Sequence, residues 1–217
     1  MAGVRLRTPV HLPAPGDRGP KTDPSHPADV LNLLPLDLAT LGNHEFDFKT
    51  ETLSQRLREA KFRIVLANLK PPKEYTGREL KEIYYWPEGE PDIAFTGLVS
   101  EEVAKSAIAL GFEYEPYYKA LSRLLPQLRA RNVGRLVVLS HFSQSDDRRL
   151  LEYLSSSRWR PEPEIGDFLI LGGHDHDIDW YEHRLSKNLS NCRSVSVFLI
   201  PIDSLARSSS RQQWEYL

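Results

Sequence analysis

The chain has 217 residues, 40% hydrophobic and 27% charged, a length and balance that suit one sizeable globular domain and exclude a fibrous or wholly disordered polymer. Its 28 basic and 30 acidic side chains leave a formal net charge of -2, so no bulk field points to nucleic acid or an anionic membrane as partner. A single cysteine, Cys192, rules out an internal disulfide framework and any thiolate cluster, so a metal site would have to use nitrogen and oxygen ligands.

Residues 1–28 contain Pro9, Pro13, Pro15, Pro20, Pro24 and Pro27, and proline both removes backbone donors and blocks helix continuation, so this stretch reads as irregular. The opening MAGVRLRTPVHLPAPGD lacks the apolar core of a signal peptide, and no window approaches the roughly 18 apolar residues of a membrane span. On this reading the expectation is a chain without a targeting segment, with the cytoplasm as default. From PADVLNLL onward the pattern alternates: a strand in LDLATLG, a helix in TETLSQRLREAKF and a strand in RIVLAN make a β-α-β rhythm. Residues 70–91 mix charge, aromatics and proline without periodicity, which predicts a surface excursion before the strand DIAFTGLV. A helix over 116–131, the strand RLVVLS, a helix opening near SQSDDRRLLEYL and the strand DFLILGG follow. In that last helix Asp146 and Asp147 fall in the first turn, where carboxylates suit the positive end of the helix dipole. Strand-like pieces near 178–185 and 194–202, with no long helix between them, predict a hairpin, and 204–217 reads as a frayed tail. The fold class is α/β, layered, with helices on both faces of the strands and one main domain over 29–203.

Three apolar runs end in the same kind of chemistry: LDLATLG in Asn43-His44-Glu45, RLVVLS in His141, and FLILGG in His174-Asp175-His176. In α/β sheets the carboxyl ends of the strands form the ligand crevice, so these endings are expected to converge. Neutral imidazole and an amide carbonyl make a plausible mixed ligand set, so Asn43, His141 and His174 are candidate metal ligands, for manganese, zinc, iron or nickel rather than calcium. His44 and Asp47 lie three residues apart just after their strand. A carboxylate on one imidazole nitrogen fixes which nitrogen carries the proton, an arrangement suited to a general acid; Asp47 equally suits the N-cap of the helix that begins near Lys49.

LGNHEFDF, VVLSHFSQSDD and LILGGHDHD, in this order and with weaker support from GLVSEEV and KNLSNCRSVSV, resemble the calcineurin-like metallophosphoesterase superfamily, and within it the catalytic domain of the 5'-nucleotidase family. The resemblance runs from about residue 28 to 203. It implies a four-layer α/β/β/α sandwich that binds two divalent ions at its strand ends and hydrolyses nucleotides or other small phosphate monoesters, with no nucleic-acid or membrane partner. By the same resemblance Asn43, His141 and His174 serve one ion and His176 its neighbour, His44 is the catalytic histidine and Asp47 orients it.

The sequence departs from that family at its start. Members carry a strand ending in Asp-x-His and another ending in Gly-Asp, whose carboxylate bridges both ions. No Asp-x-His precedes residue 43, and the upstream Gly-Asp, Gly16-Asp17, follows a proline-broken segment instead of an apolar run. Asp17 is the candidate bridging ligand; the favoured expectation is a sandwich missing its first strand or strands, which leaves a site for one ion or for none. The competing expectation for function is therefore a catalytically impaired relative that keeps the fold and a binding role.

Overall fold

A computed structural model of the chain describes residues 2–4, 31–33, 36–89, 91–156, 167–175, 179–183 and 195–199. In chain order the strands are β1 (Ala2–Val4), β2 (Leu38–Thr40), β3 (Arg63–Val65), β4 (Leu69–Lys70), β5 (Leu80–Lys81), β6 (Ile83–Trp86), β7 (Ile93–Val99), β8 (Glu113–Tyr114), β9 (Arg135–His141), β10 (Asp167–Gly172), β11 (Asp179–His183) and β12 (Val195–Leu199). The helices are α1 (Thr50–Glu59), α2 (Glu101–Ala109), α3 (Tyr117–Ala130) and α4 (Gln144–Ser155). One sheet has the order β1-β2-β3-β5 and a second the order β11-β12-β10-β9-β7-β6, with a two-stranded β4-β8 ribbon beside them. The inner strands of both sheets run parallel: β2 with β3, and β7, β9, β10 and β12 with one another.

Alternation along these strands builds four layers. Leu38 and Val65 from the smaller sheet meet Phe95, Val137 and Leu139 from the larger one, an apolar layer between the sheets. The opposite faces are covered as well: Ala39 and Ile64 pack with Leu53 and Leu57 of α1 and Val103 and Ala107 of α2, while Leu136, Val138 and Ile170 pack with Leu121, Leu124 and Leu128 of α3 and Leu150 and Leu154 of α4. Strands buried on both faces need apolar residues in succession, which is why RLVVLS and FLILGG read as continuous runs. The expected α/β/β/α sandwich is the observed architecture.

Several local expectations need correction. Residues 70–91 are not only an excursion: β6 lies within them and runs antiparallel to β7 at the sheet edge, its aromatic side chains supplying strand propensity that proline and charge obscure. Helix α2 has no periodic stripe long enough to announce it, yet Ser100 caps it by accepting from the Val103 N–H at 3.2 Å, with Glu101 and Glu102 in the first turn. Ala2–Val4, inside the stretch expected to be irregular, pairs antiparallel with β2. The strand pieces near 178–185 and 194–202 do pair antiparallel, as β11 and β12. Among the described residues no helix is long and apolar enough to cross a membrane.

Candidate active site

Beyond Thr40 the chain passes through buried Leu41 and Gly42 into a single 3-10 turn, Asn43–Phe46. Two contacts pin that turn. Glu45 folds back so that its Oε2 accepts from the Gly42 N–H at 2.6 Å, and Phe46 is buried edge-on against Phe112 with ring centroids 5.4 Å apart. The turn then divides its polar residues, Asn43 half-buried and His44 exposed. Gly42 is needed for a close approach: a Cβ there would lie 2.6–2.9 Å from three atoms of the His141 ring, so only glycine lets the imidazole rest on this backbone.

Asn43, His141 and His174 are brought together from the ends of β2, β9 and β10, as the strand-end reasoning expects. His141, 4% exposed, holds its Nε2 2.9 Å from Asn43 Oδ1 and 3.2 Å from His174 Nδ1, with the two imidazole rings edge-to-face at 4.8 Å. An Nε2 atom either donates one proton or offers one lone pair, and an amide oxygen only accepts, so one N–H would have to serve Asn43 and His174 together. A cation bound by all three groups would satisfy each of them. Donor atoms about 2.1 Å from a shared ion and at right angles to one another stand about 3 Å apart, close to the 2.9 and 3.2 Å that separate His141 Nε2 from Asn43 Oδ1 and His174 Nδ1. The residues present therefore fit a divalent metal of the nitrogen- and oxygen-preferring class.

Carboxylates support this cluster without entering it. Asp175 Oδ2 accepts from the Gln144 N–H, the first of α4, at 2.6 Å. Asp147, in the first turn of α4 as expected, is fully buried, its Oδ1 accepting from Ser140 Oγ at 2.5 Å and its Oδ2 without a partner among the described residues. Burial pushes its carboxyl up to about 8, with Asp175 and Asp146 adding repulsion and the Ser140 hydrogen bond opposing the rise. The serine that precedes His141 in an otherwise apolar strand was the only hint of this buried pair in the sequence.

His44 and Asp47 form the other half. Nδ1 of His44 lies 2.8 Å from Asp47 Oδ2, with the side chains 75% and 52% exposed. Of the two readings of Asp47 the structure takes the imidazole partner: α1 is capped at Lys49 with no side-chain hydrogen bond. The second histidine of the GGHDH motif, His176, and the candidate bridging carboxylate Asp17 lie outside the described residues. Among the described residues no group of three or more His, Cys, Asp or Glu side chains is arranged to hold an ion, so the cluster rests on two imidazoles and an amide.

No protein-family model matches the chain. An apyrase from Tabanus yao is 30% identical over 158 residues, covering 70% of this chain and 26% of its own length. Human 5'-nucleotidase is 28% identical over 155 residues, covering 69% of this chain and 25% of its own. The solved structure of the NAD nucleotidase from Haemophilus influenzae superposes with a TM-score of 0.57 at 19% identity, over 80% of this chain and 35% of that one. The chain spans about a quarter of the length of these curated relatives. It is a homologue of the 5'-nucleotidases and apyrases and has the fold of the 5'-nucleotidase-type metallophosphoesterases over the part of them that it matches.

Proposed function

We propose that this chain is a metal-dependent phosphoester hydrolase acting on nucleotides or other small phosphate monoesters. The observation that carries the proposal is His141 Nε2 lying 2.9 Å from Asn43 Oδ1 and 3.2 Å from His174 Nδ1, with Asn43 next in sequence to an exposed His44 already hydrogen-bonded to a carboxylate. Asn43, His141 and His174 would hold a divalent ion, with His176 and Asp17 as further candidate ligands. A cation there supplies Lewis-acid polarisation of a phosphoryl oxygen and a water made acidic enough to attack at neutral pH. Asp47 fixes the His44 ring through Nδ1, which leaves the other ring nitrogen to donate a proton to the departing ester oxygen. Exposure of His44 keeps that nitrogen within reach of a substrate from solvent. Hydrolysis of AMP and of glycerol 2-phosphate by the purified chain, with manganese added, tests the reading. His44→Ala is expected to lower kcat by about 10²–10⁴-fold while manganese binding persists; absence of turnover of either ester at any manganese concentration would refute it.

One observation favours a second reading, a relative that binds without turning over. The described cluster offers two neutral imidazoles and a neutral amide and no anionic ligand, so less charge opposes the loss of a cation to water. Stoichiometry decides between the two: two bound ions per chain with turnover support the hydrolase, and one or none without turnover supports the binding protein.

A further inference from the structure

We infer that Asp175 is a positioning residue whose carboxylate docks the His174 loop onto the first turn of α4 and so holds His174 against His141. This role rests on the metal-site reading above and deepens it. Strand β10 ends at Gly172, and Gly173 follows directly, so two glycines precede His174 and the backbone itself does little to fix the direction in which that histidine leaves the sheet. An external tie is needed, and among the described residues the 2.6 Å hydrogen bond from the Gln144 N–H to Asp175 Oδ2 supplies one. The first N–H groups of a helix lack intrahelical acceptors, and the helix dipole favours negative charge there, so a carboxylate is the side chain this position holds best.

The tie closes a ring. His141 continues through Phe142 and Ser143 into Gln144; Gln144 holds Asp175; Asp175 follows His174; and His174 Nδ1 returns to His141 Nε2 at 3.2 Å. Helix α4 is itself fixed to the same strand end from below by the Ser140–Asp147 hydrogen bond, and Ser143 Oγ accepts from the Asp146 N–H at 3.3 Å. The first turn of α4 thus acts as a bracket, with one carboxylate tying it to the strand that carries His141 and another to the loop that carries His174. Asp175 is exposed, so burial does not hold it in place; the hydrogen bond does.

The test uses the full chain with Asp175→Ala, which loses the acceptor, and Asp175→Asn, whose amide oxygen retains it. Without metal, the nuclear Overhauser contact between the His141 and His174 rings should vanish in the alanine variant and persist in the asparagine variant, with thermal unfolding of both close to the parent. With cobalt(II) as probe, the alanine variant should bind about tenfold or more weakly and with an altered visible absorption spectrum, and the asparagine variant should restore both. Retention of the ring contact in Asp175→Ala overturns the inference, as does an asparagine variant that behaves like alanine. If the parent chain binds no cobalt, the metal-site reading fails, and the ring contact alone still decides the role of Asp175.

Discussion

Gly42 shows how tightly the site is fitted at the level of single residues. Alanine there places a methyl group 2.6–2.9 Å from the His141 ring, so either the backbone or the ring, which contacts Asn43 and His174, has to shift. Gly42→Ala is expected to weaken cobalt or manganese binding at least tenfold and to cost about 1–3 kcal/mol of stability, measured by metal titration and urea unfolding. Asn43, His141 and His174 were legible in the sequence because each ends an apolar run, and strand ends meet in this class of fold. The role of Gly42 was not, since it depends on a ring 99 positions away in the sequence. Asp147 lies in the first helical turn as expected, but its burial was not legible: dipole reasoning finds the helix end and not the strand hydroxyl that draws the side chain inward. Its carboxyl titrates near 8 when folded against an ordinary 3.8. Between those values the folded chain keeps a proton that the unfolded chain has released, so rising pH favours unfolding. This group's contribution is full below about pH 4 and is lost as pH rises through about 8, at up to about 1.4 kcal/mol per pH unit. Urea unfolding at pH 5, 6, 7 and 8 should show Asp147→Asn gaining on the parent at each step; parallel profiles would show that Asp147 does not titrate in this range.

Among the elements, α3 carries a defect that periodicity conceals. Its apolar positions Ala120, Leu121, Leu124, Leu125 and Leu128 form the buried stripe that makes 116–131 readable as a helix. Pro126 sits on the exposed side of that helix, where it removes one intrahelical hydrogen bond and crowds the preceding turn. The helix survives because the stripe packs on the larger sheet. Pro126→Ala restores the missing donor at an exposed site. After allowance for the greater freedom of the unfolded chain, it is expected to raise stability by roughly 1–2 kcal/mol, read from the urea midpoint, with metal affinity unchanged. Helices with such a stripe, α1, α3 and α4, were legible from sequence; α2, nine residues rich in alanine and charge, was signalled only by its serine cap. The expected excursion at 70–91 hid β6 because Tyr84, Tyr85 and Trp86 pair with β7 at a sheet edge, where only part of the strand is buried.

At the scale of the whole molecule the site spans the joint between two sheets, since Asn43 follows β2 of one while His141 ends β9 and His174 follows β10 of the other. The 2.9 Å contact between Asn43 and His141 therefore depends on how the sheets are joined. Close to it, the chain leaving β3 is spliced onto β7: the Ala67 N–H donates to the Gly97 carbonyl at 2.8 Å, and the buried Asn68 side chain donates to the Val99 carbonyl at 2.8 Å and accepts from the Val99 N–H at 3.0 Å. Gly97 permits this approach, because a Cβ there would lie 1.9 Å from the Val65 carbonyl oxygen. Val99 is the register partner of His141, so the splice sits one strand away from a candidate ligand. Asn68→Ala leaves the Asn68 bonds to Val99 unmade in a buried setting, an expected cost of roughly 2–5 kcal/mol. It should also weaken metal binding, because it frees one sheet to shift against the other. Asn43→Ala provides the contrast, since it removes a ligand without touching the splice: metal affinity should fall while the urea midpoint stays near that of the parent. If Asn68→Ala loses stability but binds cobalt as tightly as the parent, the relative position of the sheets is set elsewhere, and the site is less dependent on the splice than the distances imply.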